Sequence, residues 1–280
     1  MLKLLKKFFR TIFLLIIIVI LILGYSKYIE PFMLKTESIK IESPYVTDNS
    51  NGLNIVVFAD THFSEFYTTD DFKKVLNSIK EINPDIVVFA GDLIDNYNNY
   101  TEDISDISHA LASINAPLGK FAIFGNHDYG GGAENEYEEI MSKGGFIVLK
   151  NEYYALDRLG ISIIGIDDVL IGNGDTGIAS WSRPDYFNIV LCHEPDLADE
   201  ILEYNVDLMI SAHTHGRQIN LFGLNDDTLP LYGKNYIKGI YQFNNFRDTK
   251  LYVNSGIGMT KLPYRFMSRP ELTCITITKP

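Results

Sequence analysis

Cysteine is scarce. The 280-residue chain has two, Cys192 and Cys274, far apart and without the paired spacing of a thiolate metal site. That argues against both a structural zinc site and a disulfide framework. Each lies in an apolar, strand-like run and is expected to be a buried thiol, a single disulfide being open only in an oxidising compartment. Internal repeats are lacking, and no Gly/Ser- or Pro-rich linker interrupts residues 54–279, so one compact domain is expected. Basic residues are also few outside the first ten positions. Lys3, Lys6, Lys7 and Arg10 precede every acid, the first of which is Glu30. The remaining 20 basic residues face 36 acidic ones. Such a domain repels a polyphosphate backbone, so no nucleic-acid partner is expected.

What is present begins with an uncharged run, Thr11 to Tyr25. As a helix it spans about 22 Å, short of the roughly 30 Å of a bilayer core. Phe8 and Phe9 extend it, with Arg10 and Lys27 reaching to the two interfaces. A cleaved signal peptide has an apolar run of similar length, but Gly24-Tyr25-Ser26-Lys27 offers no small-x-small cleavage site. Residues 1–27 are therefore read as a basic flank and an uncleaved single-pass anchor of the cell membrane. The basic cluster before it predicts a cytoplasmic amino terminus and an extracytoplasmic domain. Residues 28–52 are expected to be a tether and a first strand, and residues 53–280 the domain.

From Leu53 the pattern alternates. Strands are expected at Leu53–Ala59, Asp85–Ala90 and Phe121–Phe124, and helices at Asp70–Ile82, Ile104–Ile114 and Glu134–Lys143. Strands then dominate: Phe146–Lys150, Ile161–Ile166, Phe187–Leu191, Asp207–Ser211, Leu251–Asn254 and Leu272–Thr278, with one helix at Leu197–Tyr204. Continuously apolar strands imply sheets covered on both faces. The expected fold is α/β, a two-sheet β-sandwich flanked by helices.

The polar residues that can ligate metals fall where these strands end. Ile55–Ala59 runs into Asp60-Thr61-His62, Ile86–Ala90 into Gly91-Asp92 with Asp95 following, and Phe121–Phe124 into Gly125-Asn126-His127-Asp128. Val190–Cys192 runs into His193, and Met209–Ala212 into His213-Thr214-His215. Five of the six histidines thus follow an apolar strand directly; His109, inside an expected helix, is read as having no role. Carboxyl ends of strands are where α/β sheets gather functional groups. Imidazole mixed with carboxylate and amide oxygen suits manganese, iron or zinc rather than magnesium or calcium.

The ordered set D-x-H, G-D-x-x-D, G-N-H-D, a lone strand-end His and H-x-H resembles the calcineurin-like metallophosphoesterase superfamily, most of all its bacterial branch with an N-terminal membrane segment. The phrases His193-Glu194-Pro195-Asp196, Asn254-Ser255-Gly256-Ile257-Gly258, Pro263-Tyr264-Arg265 and Arg269-Pro270-Glu271 are similar to that branch too. Arg217, where Gly is usual, and Ser211-Ala212 before H-x-H depart from it. The resemblance implies two divalent cations, one held by Asp60, His62, Asp92 and His215, the other by Asp92, Asn126, His193 and His213, with Asp92 shared. Paired cations turn a shared water into a hydroxide near neutral pH and steady the transition state of phosphate-ester hydrolysis. His127 and Asp128 are then the expected catalytic pair, His127 protonating the leaving oxygen and Asp128 or Asp95 orienting an imidazole. Arg217, Arg265 and Arg269 are weaker candidates for phosphate contacts, and Tyr97–Tyr100 for the substrate mouth.

The expected activity is a phosphodiesterase or phosphomonoesterase at the outer membrane surface, acting on a phosphate ester that is lipid- or envelope-linked. The alternatives are a metal-stabilised surface scaffold without turnover, distinguished by inactivity on aryl phosphates, and a protein Ser/Thr phosphatase, distinguished by a preference for phosphopeptides.

Overall fold

The computed structural model describes residues 2–280, so Met1 of the expected anchor lies outside the described residues. The first helix, α1 (Leu2–Tyr28), is 27 residues long, about 40 Å. It is longer than the uncharged run because no proline interrupts it before Pro31, and the basic flank winds on as helix. Its Leu and Ile side chains are covered by nothing in the domain, and it is long and apolar enough to cross a membrane.

The strands follow in chain order: β1 (Lys35–Glu42), β2 (Asn54–Phe58), β3 (Ile86–Phe89), β4 (Lys120–Ala122), β5 (Ile147–Val148), β6 (Glu152–Leu156), β7 (Ile161–Gly165), β8 (Phe187–Leu191), β9 (Leu208–Ser211), β10 (Gly239–Gln242), β11 (Lys250–Val253) and β12 (Glu271–Thr278). They form two six-stranded sheets, ordered β1-β12-β2-β3-β4-β5 and β10-β11-β9-β8-β7-β6. Helices α2 (Thr69–Ile82), α3 (Ile104–Ala112) and α5 (Tyr137–Lys143) cover the outer face of the first sheet. Alternation along β2 shows the layering: Ile55 and Val57 enter the core between the sheets, while Val56 and Phe58 pack under the helices. In β8, Ile189 and Leu191 join the central core and Val190 the outer face of the second sheet. The expected sandwich with helical flanks is the fold observed.

Some elements differ locally. The helix expected over 197–204 is a 3-10 coil over Pro195–Ile201. The Asp196 carboxylate there is pinned by the backbone N–H groups of Lys234, Asn235 and Tyr236, and the chain must return to β9 within a few residues. Asn126–Gly130, for which no helix was expected, closes into a short helix, α4, because the Asp128 carboxylate takes the Gly125 N–H at 2.8 Å. Residues 28–52 are tied down throughout: β1 pairs in parallel with β12, from Lys35↔Glu271 to Glu42↔Thr278. Both cysteines are buried and free.

The base of α1 is fastened to the domain. The Arg265 N–H donates to the Ser26 carbonyl at 2.8 Å, and Ser268 N–H to the Glu30 carboxylate at 2.7 Å. Arg269 donates to the carbonyls of Met33 and Leu34. Arg265 itself is fully buried and donates to the carbonyls of Ser255, Gly258 and Ser268. It is therefore a strut, not a phosphate contact: its donors are spent on backbone. Arg265→Ala leaves three buried carbonyls without their donor, and should lower the unfolding free energy of the full chain in detergent by about 3 kcal/mol in a urea titration. Arg265→Lys should recover part of that.

Candidate metal centre

Strands β2, β3 and β4 are mutually parallel, and so are β8 and β9 in the facing sheet. Their carboxyl ends meet at one rim of the sandwich. The ladder persists just past the strands, with Asp60 N–H on Gly91 O at 2.9 Å and Ala212 N–H on His193 O at 3.0 Å, so the ligand-bearing turns leave in step. Gly91 makes the closest approach possible: its φ is +95°, and a Cβ there would stand 2.7 Å from both Gly125 N and His193 Nδ1. Gly125 has no room either, since its Cβ would collide with the Asp92 carboxylate.

Six of the seven expected ligands come together, and the seventh, Asn126, lines the same cleft as Asp92 and His213. His62 Nε2 and His215 Nε2 face each other at 3.1 Å. Asp92 Oδ2 lies 3.5 Å from His62 Nε2, and Asp60 Oδ1 lies 3.8 Å from His215 Nε2. On the other side His193 Nε2 stands 3.2 Å from Asp92 Oδ2 and 3.8 Å from Asp60 Oδ1. Asp92, His193 and His213 form one group able to hold a cation, and Asp60, His62 and His215 another. Asp92 lies between the two.

These donors fit metal better than they fit one another. Two imidazole nitrogens at 3.1 Å can share at most one proton. Both oxygens of the fully buried Asp60, together with Asn126 Oδ1 and His193 Nε2, have no hydrogen-bond partner among the described residues. Leaving such groups buried and bare is costly unless a ligand completes them. The ring atoms turned away from the centre are engaged: His193 Nδ1 donates to Ala90 O at 2.7 Å, and His213 Nε2 to Leu231 O at 3.0 Å. Those carbonyls fix each tautomer and leave one ring nitrogen for a cation.

Burial pushes the Asp60 carboxyl up to about 7. Burial acts on Asp92 in the same direction, but the imidazoles of His193, His127 and His62 outweigh it and hold Asp92 well below the usual carboxylate range. Burial pushes His213 down to about 3 and His215 well below its ordinary value, so both present neutral nitrogens.

His127 lies at the edge of the cluster, where it forms a third potential group with His62 and Asp92. Its Nδ1 is 2.9 Å from Asp95 O, leaving Nε2 as the free ring nitrogen, and its N–H donates to Asp92 Oδ1 at 2.8 Å. Asp95 Oδ1 also stands 3.1 Å from His62 Nδ1. Asp128 does something other than orient an imidazole. Its two oxygens accept the N–H groups of Asp92, Leu93 and Gly125, which binds the second motif to the third. The carboxylate that stands beside an imidazole is that of Asp95. Arg217 is paired with Asp226 and lines a cleft of about 300 Å³ together with His127, Ile219, Leu229 and Leu262. Tyr97–Asn99 forms a 3-10 turn outside that cleft.

Sequence reasoning missed the carbonyls of Ala90 and Leu231, and Ser268, whose hydroxyl donates to His215 O and Gly216 O at 2.9 Å. Carbonyls leave no mark in a sequence. The phrase Asn254–Gly258 was visible, and its task now is too: Gly258 N–H holds Asp60 O at 2.7 Å.

The profile of the calcineurin-like phosphoesterase family matches residues 53–217. The uncharacterized metallophosphoesterase YkuE of Bacillus subtilis is 42% identical over 258 residues, covering 91% of this chain and 89% of that protein. Phosphodiesterase YaeI of Escherichia coli is 29% identical over 260 residues, 91% of this chain and 92% of its own. UDP-2,3-diacylglucosamine pyrophosphatase LpxG of Chlamydia muridarum is 27% identical over 305 residues, 90% and 91% respectively.

Two outcomes are expected. Gly125→Ala touches no ligand by identity, yet it should strip the protein of metal as measured by elemental analysis, because the added methyl displaces Asp92. Asp60 must also lose its proton to take a cation, so protons and metal compete. The rise in melting temperature on adding Mn²⁺ or Zn²⁺ should therefore be larger at pH 8 than at pH 5, crossing over near the value of about 7 set by burial.

Proposed function

This chain belongs to the calcineurin-like phosphoesterase family of dinuclear metal-dependent hydrolases, and from that premise we propose that it hydrolyses a lipid- or envelope-linked phosphate ester at the outer face of the membrane. The observation that carries the reading is the facing of His62, His193 and His215 around the shared Asp92, at the floor of a cleft. Asp60, His62, Asp92 and His215 would hold one cation, and Asp92, Asn126, His193 and His213 the other. Bound there, two such cations supply an activated water and neutralise the charge on the phosphate oxygens.

The remaining work is done by side chains. Burial alone would lower the pKa of His127, but Asp92, the Asp95 carbonyl and the Asp95 carboxylate outweigh burial and raise it, which favours the protonated ring a proton donor needs. With Nδ1 held on Asp95 O, Nε2 delivers that proton to the departing oxygen. Arg217, clamped by Asp226, and Lys261 place positive charge on the cleft wall for the non-reacting phosphate oxygens. Ile219, Leu229 and Leu262 add apolar side chains to the cleft lining.

The outward orientation is supported by Lys3, Lys6, Lys7 and Arg10 before the apolar stretch of α1, which favour a cytoplasmic amino terminus. A lipid-linked substrate is supported by the relative that is a diacylglucosamine pyrophosphatase. Among metals, the mixed imidazole and oxygen donors favour manganese, iron or zinc.

The test is a metal screen on aryl phosphate monoesters and diesters, with Asp92→Ala as the blank. His127→Ala should retain its metal and lose about 10²- to 10³-fold in kcat on esters with a poor leaving group, and much less when the leaving group is an acidic phenol. Undiminished turnover of the poor leaving group would remove the proton-donor role.

A further inference from the structure

The wall of the metal cleft continues outward into a loop whose tip, Leu221–Leu224, is apolar and exposed. Asn225 staples it: its Nδ2 donates to Ile219 O at 2.6 Å, and its Oδ1 accepts from Leu221 N at 3.2 Å. Asn220 Oδ1 accepts the N–H of Phe222 at 2.9 Å. With the polar groups satisfied inward, the tip presents Phe222 and Leu224 to the outside, 78% and 89% exposed. Leu221, Leu262 and Met267 are exposed as well. A turn built for water would carry polar side chains at these places; an apolar cluster on a surface marks something that covers it.

The position of the loop says what covers it. Asn220 N donates to Phe266 O at 2.8 Å, and Phe266 N to Gln218 O at 2.9 Å, so residues 218–220 lie beside residues 265–267. The next residue back, Arg265, donates its N–H to Ser26 near the end of α1. The apolar tip is therefore one strand away from the base of the membrane helix. Leu224 lies four residues beyond Asn220 and reaches at most about 14 Å from it. Where α1 emerges, Tyr28, Ile29 and Phe32 are also exposed, as expected of residues at a membrane–water boundary. Ser268 links this same region to His215, so the metal edge of the sandwich is the edge that carries the anchor. Electrostatics does not draw the domain to an anionic surface, since its acids outnumber its bases. Contact has to be apolar.

We propose that the loop Leu221–Leu224, with Leu262 and Met267 beside it, sinks into the outer leaflet of the bilayer that α1 spans, so that the metal cleft opens at head-group level. The inference rests on the reading of α1 as an anchor. The loop is then the membrane contact that flanks the cleft wall of Ile219, Asn225 and Leu229 without lining the cleft itself, and the substrates that reach the metals are phosphate esters standing at the lipid surface. The bilayer, not a second protein, is the occupant.

The chain has a single tryptophan, Trp181, on the segment leading to the amino end of β8, the sheet edge opposite the metal ligands. It serves as an internal reference. The full chain is reconstituted in phosphatidylcholine vesicles whose acyl chains are brominated or plain, and fluorescence is compared for wild type and for Trp181→Phe/Phe222→Trp. Bromine should quench the emission of the double variant, which comes from the loop tip alone, about twofold or more, and that of the wild type hardly at all. A double variant that floats with the vesicles but is not quenched, or is quenched no more than the wild type, overturns the proposal and leaves the anchor standing. A chain that does not float removes the anchor reading and this proposal with it.

In a second arm, metal-loaded Phe222→Ser/Leu224→Ser is assayed on hexadecyl 4-nitrophenyl phosphate in the same vesicles and on ethyl 4-nitrophenyl phosphate in solution. The expected loss is about tenfold on the vesicle substrate alone. Equal rates for the variant and wild type on the vesicle substrate, or equal losses on both substrates, count against the loop.

Discussion

The Asp92 carboxylate lies where the two sheets touch, and each neighbouring piece of the rim is arranged around its charge. One oxygen takes the His127 N–H, and the other faces His62 from the first sheet and His193 from the second. A carboxylate buried this deeply is tolerable only with opposite charge around it. The surrounding imidazoles supply part of that, and the unpartnered oxygens of Asp60 show that they do not supply all of it. The demand for cations is thus a property of the folded polypeptide: the sandwich brings more electron pairs to one dry point than protons alone can serve.

Holding that point together requires backbone conformations that ordinary residues avoid. Asp60, His62, Asp92, His213 and His215 all have positive φ, between 41° and 70°. Each such residue costs on the order of 1 kcal/mol or more. The cost is met by the ladders that continue past the strand ends, by the Asp128 carboxylate gathering three N–H groups, and by the Asn254–Gly258 loop closing over Asp60. The side chains are therefore aimed by the backbone itself, which is the condition for electrostatic catalysis without reorganisation.

Most of the fold was legible because its strands are covered on both faces and read as unbroken apolar runs ended by polar groups; Ile55–Ala59 and Phe187–Leu191 are the clearest. The clustering of the proposed ligands was legible for the same reason, since a buried strand that stops at Asp or His declares where its carboxyl end is. Other features were hidden. Arg265 looks like any surface arginine until its partners are seen to be carbonyls. Asp128 follows His127 and invites a catalytic reading, yet a short helix turns it toward backbone N–H groups instead. Both depend on contacts far along the chain or on main-chain atoms, and residue types alone carry no trace of either.

The order of strands in the first sheet has a consequence for how the protein is made. β12 lies between β1 and β2, so the strand next to the amino-terminal helix pairs only with the last strand of the chain, 236 positions later at Lys35↔Glu271. During synthesis β1 must wait unpaired until residues 271–278 have been made. The domain cannot close its first sheet piecemeal as it emerges, and it stays open to chaperones and proteases until β12 has been made.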